Sequence, residues 1–250
     1  MRLKWIRRAI AALGIAGLVS TFGPGCAQPD SELFIKGVMI PNPPPDCHYR
    51  AEADALLRGD GTIDVSFRGL SAIGGDYVAV LLIGNQLVTR GDPSLVRTET
   101  GRVTLKTADV TLTTTGGTLI QSYSVPISGF VDPARGGEPG YGFAPVTLLP
   151  GTLANSLSGD RSSHRVVANV RVFGSTLGGS DVQSDVFQYV IYTCWGCLIS
   201  YPAAELTTNG ECSSMSGGSS IVLGCIQGQD DPVDCGSCTA TNPTCVAPGR

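Results

Sequence analysis

The chain has 250 residues, with 17 basic and 21 acidic side chains and a charged fraction of only 15%. The acid excess repels phosphate backbones and argues against a nucleic-acid partner. A hydrophobic content of 42% argues against a disordered chain, which needs less apolar and more charged material.

Arg2, Lys4, Arg7 and Arg8 carry all the charge of the first eight residues, and an apolar run follows from Ala9 to Phe22. This is the layout of a signal peptide, a basic n-region before a short apolar h-region. The run is shorter than the roughly 20 residues that a spanning helix needs. A signal peptide is therefore expected over 1–25. Its removal takes away four bases and no acid, leaving 13 basic against 21 acidic side chains, a formal charge of −8. Gly23-Pro24-Gly25-Cys26 closes the run and resembles the lipobox of bacterial lipoproteins. That resemblance makes Cys26 the expected lipid-attachment residue and residues 26–32 a tether from the membrane.

A domain over 33–193 follows, and it reads as strands. An early strand is expected at 33–40, before Pro41, Pro43, Pro44 and Pro45 turn the chain into Cys47. Ala51–Arg58 is the best helical candidate, though short. Ile63, Val65 and Phe67 alternate with polar residues, the period of a half-buried strand. Tyr77 to Ile83 is continuously apolar, as in a strand covered on both faces. Gly84-Asn85 reads as a turn into Gln86–Arg90, making a hairpin. Val103 and Leu105 fall out of phase with Val110 and Leu112, which predicts a bulge near Thr107–Asp109. Gly116-Gly117 breaks the chain before a strand at Thr118–Phe130. Residues 131–163 read as long Gly/Pro/Ser loops around a short strand at Ala144–Leu149. Val166, Ala168, Val170 and Val172 alternate again, and Val182 to Thr193 reads as one long strand. The expected fold is an all-β, immunoglobulin-like sandwich, with a β-barrel as the alternative.

The cysteines are Cys26, Cys47, Cys194, Cys197, Cys212, Cys225, Cys235, Cys238 and Cys245. If Cys26 carries lipid, an even number remains. Those between 194 and 245 are odd in number, so full pairing in an oxidising compartment sends Cys47 into the C-terminal cluster. Such a bridge would close a loop of about 150 residues, worth roughly 4–5 kcal/mol in the chain-entropy description. Residues 194–250 are otherwise poor in strand signals, so disulfides must stiffen them. They are expected to form a Cys-rich appendage stapled to the sandwich.

Several chemistries are weighed against plainer readings. Cys194-Trp195-Gly196-Cys197 with Cys235-Gly236-Ser237-Cys238 has the outline of a four-thiolate zinc site, but an exported chain favours disulfides. A redox role for Cys194 and Cys197 would want a helix N-terminus at the first cysteine, and a strand is expected there. Asp230, Asp231 and Asp234, and Asp60 with Asp64, could offer oxygen ligands to calcium, though short acidic loops are commonly solvated turns. Arg58-Gly59-Asp60 and Arg90-Gly91-Asp92 are RGD tripeptides, and Gly-Asp is ordinary turn chemistry. His48 and His164 are the only histidines, and no nucleophile elbow accompanies them. No catalytic residue, metal ligand or cofactor is assigned.

The lipobox-like start, the β-rich middle and the tail Cys225-Ile226-Gln227-Gly228-Gln229-Asp230-Asp231-Pro232-Val233-Asp234-Cys235 together resemble predicted lipoproteins of myxobacterial type. The resemblance implies a Gram-negative envelope and, with Ala27 after Cys26, outer-membrane delivery. It supplies no activity. The expectation is a non-enzymatic surface binding or structural module, anchored to the membrane by lipid, with a protein or glycan partner unspecified. One alternative is an envelope hydrolase of glycan or peptide using carboxylates among Asp60, Asp64, Asp76 and Asp181. The other is metal binding by the Cys-rich tail.

Overall fold

A computed structural model describes residues 32–66, 75–91, 99–158, 161–201, 221–222, 225–226 and 228–235. The expected signal peptide, Cys26, the tether up to residue 31, and Cys212, Cys238 and Cys245 lie outside the described residues. Residues Ser31–Arg250 belong to one compact unit.

The described residues are all-β apart from one short helix. In chain order the elements are β1 (Leu33–Met39), β2 (Leu57–Arg58), β3 (Asp60–Asp64), β4 (Tyr77–Asn85), β5 (Val103–Thr114), β6 (Leu119–Val131) and β7 (Gly140–Leu149). Helix α1 (Gly151–Ser158) follows, then β8 (His164–Thr176), β9 (Asp181–Gln183), β10 (Phe187–Cys194), β11 (Ile199–Ser200), β12 (Ile221–Val222) and β13 (Val233–Cys235). One sheet runs β2-β1-β4-β7, and a second runs β3-β10-β8-β5-β6 with β9 added on β8. A small third sheet has the order β11-β13-β12.

Side-chain alternation explains the two large sheets. In β5, Val103, Leu105, Ala108, Val110 and Leu112 are buried while Thr104, Lys106 and Asp109 face solvent. The phase change comes from a bulge between Leu105 and Thr107. In β8, Val166, Ala168, Val170 and Val172 repeat the pattern. Strand β4 lies between β1 and β7, and its consecutive Leu81, Leu82 and Ile83 are all buried. Leu81 and Ile83 from the first sheet and Val110 and Ile191 from the second belong to one core cluster. Each such side chain withdrawn from water contributes about 1.5–3 kcal/mol.

Four local expectations are corrected. Gly84-Asn85 is no turn: both residues continue β4, paired with Phe34 and Leu33 on one side and with Tyr141 and Gly140 on the other. Glycine is needed at 84 because a Cβ would come within 2.2 Å of the Phe34 ring. Buried Asn85 donates to the carbonyls of Gly101 and Val131 and accepts the Leu87 N–H. Ala51–Arg58 forms a turn leading into β2, not a helix. The segment read as loops around a short strand holds the longer β7 and helix α1. Asp76 Oδ1 caps that helix from outside by accepting Gly151 N–H at 2.8 Å, so its own first residues carry no capping signal. Finally, Val182–Thr193 is split into β9 and β10. At the break, Ser184 Oγ accepts Val172 N–H while Ser184 N–H donates to Val172 C=O, a side chain standing in for ladder bonds.

Candidate functional site

The described polar groups concentrate around β3, a five-residue strand with a different neighbour on each edge. One edge pairs in parallel with β10, from Asp60 beside Val190 to Asp64 beside Cys194. The other receives residues 228–230 of the C-terminal segment: Asp64 N–H donates to Gly228 C=O at 2.9 Å, and Asp230 N–H to Thr62 C=O at 2.8 Å. Gln229 bridges Ile63 in antiparallel sense. An open strand edge is a template for unwanted pairing, and this one is covered by the chain's own tail. The Cys47–Cys225 disulfide, with a sequence separation of 178, fastens the covering segment just before it reaches β3.

Beneath this cover lies a buried seam of polar side chains. Gln229 accepts Val78 N–H at 2.9 Å and donates to Val78 C=O at 2.7 Å. Its carboxamide thus occupies the place of one strand residue beside β4. Asp230 Oδ1 accepts Thr62 N–H at 2.7 Å, and Oδ2 accepts the Tyr77 hydroxyl at 2.8 Å. Because Tyr77 spends its proton on the carboxylate, Tyr189, 3.1 Å away, donates in turn to the Tyr77 oxygen. Arg58 brings a cation to this seam, its Nε 3.5 Å from Asp230 and its Nη2 3.7 Å from Asp231. The Asp230 side chain is only 3% exposed. Burial pushes its pKa above the ordinary carboxylate value, against the opposing pull of Thr62, Tyr77 and Arg58. Burial likewise drives the Tyr77 and Tyr189 hydroxyls well above the usual phenol range, reinforced at both by Asp230. These phenols are fixed donors at neutral pH. Gly61 makes the seam possible, since a Cβ there would lie 2.1 Å from the Tyr77 oxygen.

At the far end of β3, Asp64 organises the loop that joins β10 to β11. Only 2% exposed, it accepts Ser66 N–H and Oγ–H and Gly196 N–H on Oδ1, and Leu198 N–H on Oδ2, all at 2.7–2.9 Å. Oriented N–H groups of this kind stabilise a buried carboxylate without a cation. Gly196 has a φ of 73°, a left-handed conformation open to glycine at little cost. Cys194 and Cys197 are joined in a disulfide across this loop. Trp195 between them packs against the core, with the Arg161 guanidinium 5.7 Å from its ring centre. Asp64 and the two sulfurs have potential ligand atoms within 4.8 Å of one another. In the disulfide, however, neither sulfur is the thiolate that metals prefer.

The residues singled out from sequence are dispersed by the fold. Asp64 and Asp230 occupy the two structural roles above. Asp76 caps α1, and Asp181 lies 89% exposed, 3.6 Å from Lys106. Asp60 is exposed at the start of β3. Arg58 of the first RGD tripeptide turns inward to Asp230, so that tripeptide is not displayed as a unit. In the second, Arg90 and Gly91 donate their N–H groups to Glu99, and Asp92 lies outside the described residues. These donors and Gly101 N–H hold the Glu99 carboxyl below its ordinary value despite the opposing effect of burial. His164 Nε2 lies 2.5 Å from Ser162 Oγ on the surface, and His48 sits 3.5 Å from Asp46. Cys235 is disulfide-bonded, and its partner lies outside the described residues. A cleft of about 340 Å³ opens elsewhere, lined by Glu32, Leu87, Arg90, Thr100, Thr176 and Ser180 among others. None of the nominated carboxylates reaches it.

Sequence reasoning missed Tyr77, Tyr189, Gly61 and Gln229. Tyrosines inside apolar strands read as core, and Gly61 lies in a short acidic stretch, between Asp60 and Thr62, that reads as a solvated turn. Comparison with protein-family models and with curated proteins returned no match.

Proposed function

We propose that this chain is a non-enzymatic, lipid-anchored protein of a Gram-negative cell envelope, acting as a surface binding or structural module. The observation that carries the reading is the Cys47–Cys225 bond, which joins regions 178 residues apart. A disulfide of that span belongs to an oxidising compartment, as the basic and apolar N-terminus requires. In the chain-entropy description it removes about 5 kcal/mol of unfolded-state freedom. Stabilisation of this size suits a protein that works outside the cytoplasm.

An immunoglobulin-like architecture is part of the proposal. Taking β1 and β3 as two halves of a first strand, then β4, β5, β6, β7, β8 and β10 in turn, gives the A-B-E and G-F-C-C′ orders of such sandwiches. Hydrolysis has less support, because Asp64, Asp76 and Asp181 each have a separate partner. Metal binding by the tail is weakened as well, since Cys194, Cys197, Cys225 and Cys235 are in disulfides.

Intact mass spectrometry of the protein recovered from envelopes tests the anchor. The expected result is a mature chain starting at Cys26 with acyl groups attached. A chain beginning at Ala27 or later, without lipid, overturns it.

A further inference from the structure

We infer that the Cys194–Cys197 bond is a thiol-exchange site that opens through Cys197. Three observations carry this. The first is asymmetry of access: Cys197 is exposed at the surface, whereas Cys194 is 6% exposed. An incoming sulfur reaches one end of the bond from solvent while the other end faces the protein. Access of this kind decides which sulfur of a disulfide is attacked.

The second observation is that the loop does not depend on the bond for its shape. Asp64 holds Gly196 and Leu198 by their N–H groups, and Trp195 packs on the core. Opening the bond leaves those contacts in place and keeps the two sulfurs close enough to re-form it. The third is the contrast with Cys47–Cys225. That bond closes 178 residues of chain, while this one has a separation of 3. Losing the short bridge frees far less of the unfolded chain, so it can cycle while the fold persists.

The co-reactant is a thiol, R–SH. Its sulfur bonds to Cys197 Sγ and the Cys194–Cys197 bond breaks. Cys194 departs with the electron pair and takes up the proton that the thiol released. A bare thiolate at Cys194 would set a second anion beside the buried Asp64 carboxylate, so the proton must follow. A second thiol then attacks the R sulfur, giving R–S–S–R and Cys197–SH. The protein disulfide gains two electrons and the two thiols lose them.

The test is a glutathione titration of the full mature chain, with free thiols alkylated at each step and mapped by mass spectrometry. Cys194 and Cys197 should be labelled at roughly tenfold lower glutathione than Cys47 and Cys225, with the β-sheet circular dichroism unchanged. Opening of Cys47–Cys225 at the same or lower concentration overturns the inference. A second arm compares single variants exposed to oxidised glutathione. Cys197 in Cys194→Ser should form the mixed disulfide at least about ten times faster than Cys194 does in Cys197→Ser. Equal rates, or faster reaction at Cys194, overturn it as well.

Discussion

The apolar space between the two large sheets and the polar seam under residues 228–231 are both buried, but different physics closes them. Between the sheets, residues such as Leu81, Val110 and Ile191 lose water contact on all sides. Their gain is non-directional and scales with area. In the seam, Gln229, Asp230 and the hydroxyl groups of Tyr77 and Tyr189 gain little from burial itself, although the two rings belong to the core cluster. Each polar atom there would cost about 1–3 kcal/mol if left without its partner. The core therefore tolerates small repacking but loses stability with volume. The seam tolerates almost no displacement, since one lost contact strands several groups. An area-driven interior holds the sheets together, while a geometry-driven one decides where the tail sits.

The largest effect should come from the core. Leu81→Ala removes a fully buried side chain at the centre of β4 and is expected to cost about 3–5 kcal/mol. In chemical denaturation the midpoint should fall, and amide protection should drop together in β4, β5 and β8. If protection fell in β4 alone, the sheets would not share one cooperative core.

Gly61→Ala strikes the seam instead. The added methyl occupies the Tyr77 oxygen's position, which displaces that hydroxyl from Asp230 and Tyr189. Overpacking of this kind costs about 1–3 kcal/mol, less than the core truncation. Hydrogen exchange should speed up at Thr62 and Val78, the amides held by Asp230 and Gln229. Amides of β5 and β8 should keep more of their protection. Uniform loss across both would mean that seam and core open as a single unit, and the contrast between them would collapse.

The same contrast explains what could be read from the sequence. Alternation in Val103–Leu112 and Val166–Val172 announces strands because a two-sided sheet imposes its period on every residue. The count of cysteines pointed Cys47 toward the C-terminal cluster, where it is bonded to Cys225; the count could not choose the partner. The seam has no period at all. Gln229 meets Val78 across 151 residues, and nothing in either neighbourhood predicts the other. Asp230 looked like a solvated or calcium-binding acid because its acceptors are filled by a distant strand and a distant phenol. Helix α1 escaped notice for a related reason, its cap being Asp76, 75 residues earlier.

The finest probe of the seam is pH. Burial raises the Asp230 pKa in the folded protein above its unfolded value, so the fold binds this proton more tightly than the unfolded chain does. Its contribution to stability is thus greatest below about pH 4, the unfolded carboxylate range. That contribution declines as pH rises through the folded pKa, then levels off. Asp230→Asn provides the reference. Asparagine tolerates the positive φ of 64° at this position, and its carbonyl can accept one of the two bonds, but it does not titrate. The stability of the parent relative to Asp230→Asn, measured by thermal unfolding, should fall as pH is raised from about 4 toward neutrality. This change should be smaller than either substitution effect above. Glu99, held below its ordinary value, acts with the opposite sign and is present in both proteins, so the comparison cancels it. If the difference instead grew with pH, Arg58 would outweigh desolvation at Asp230. The seam would then be held by an ion pair and not by its neutral donors.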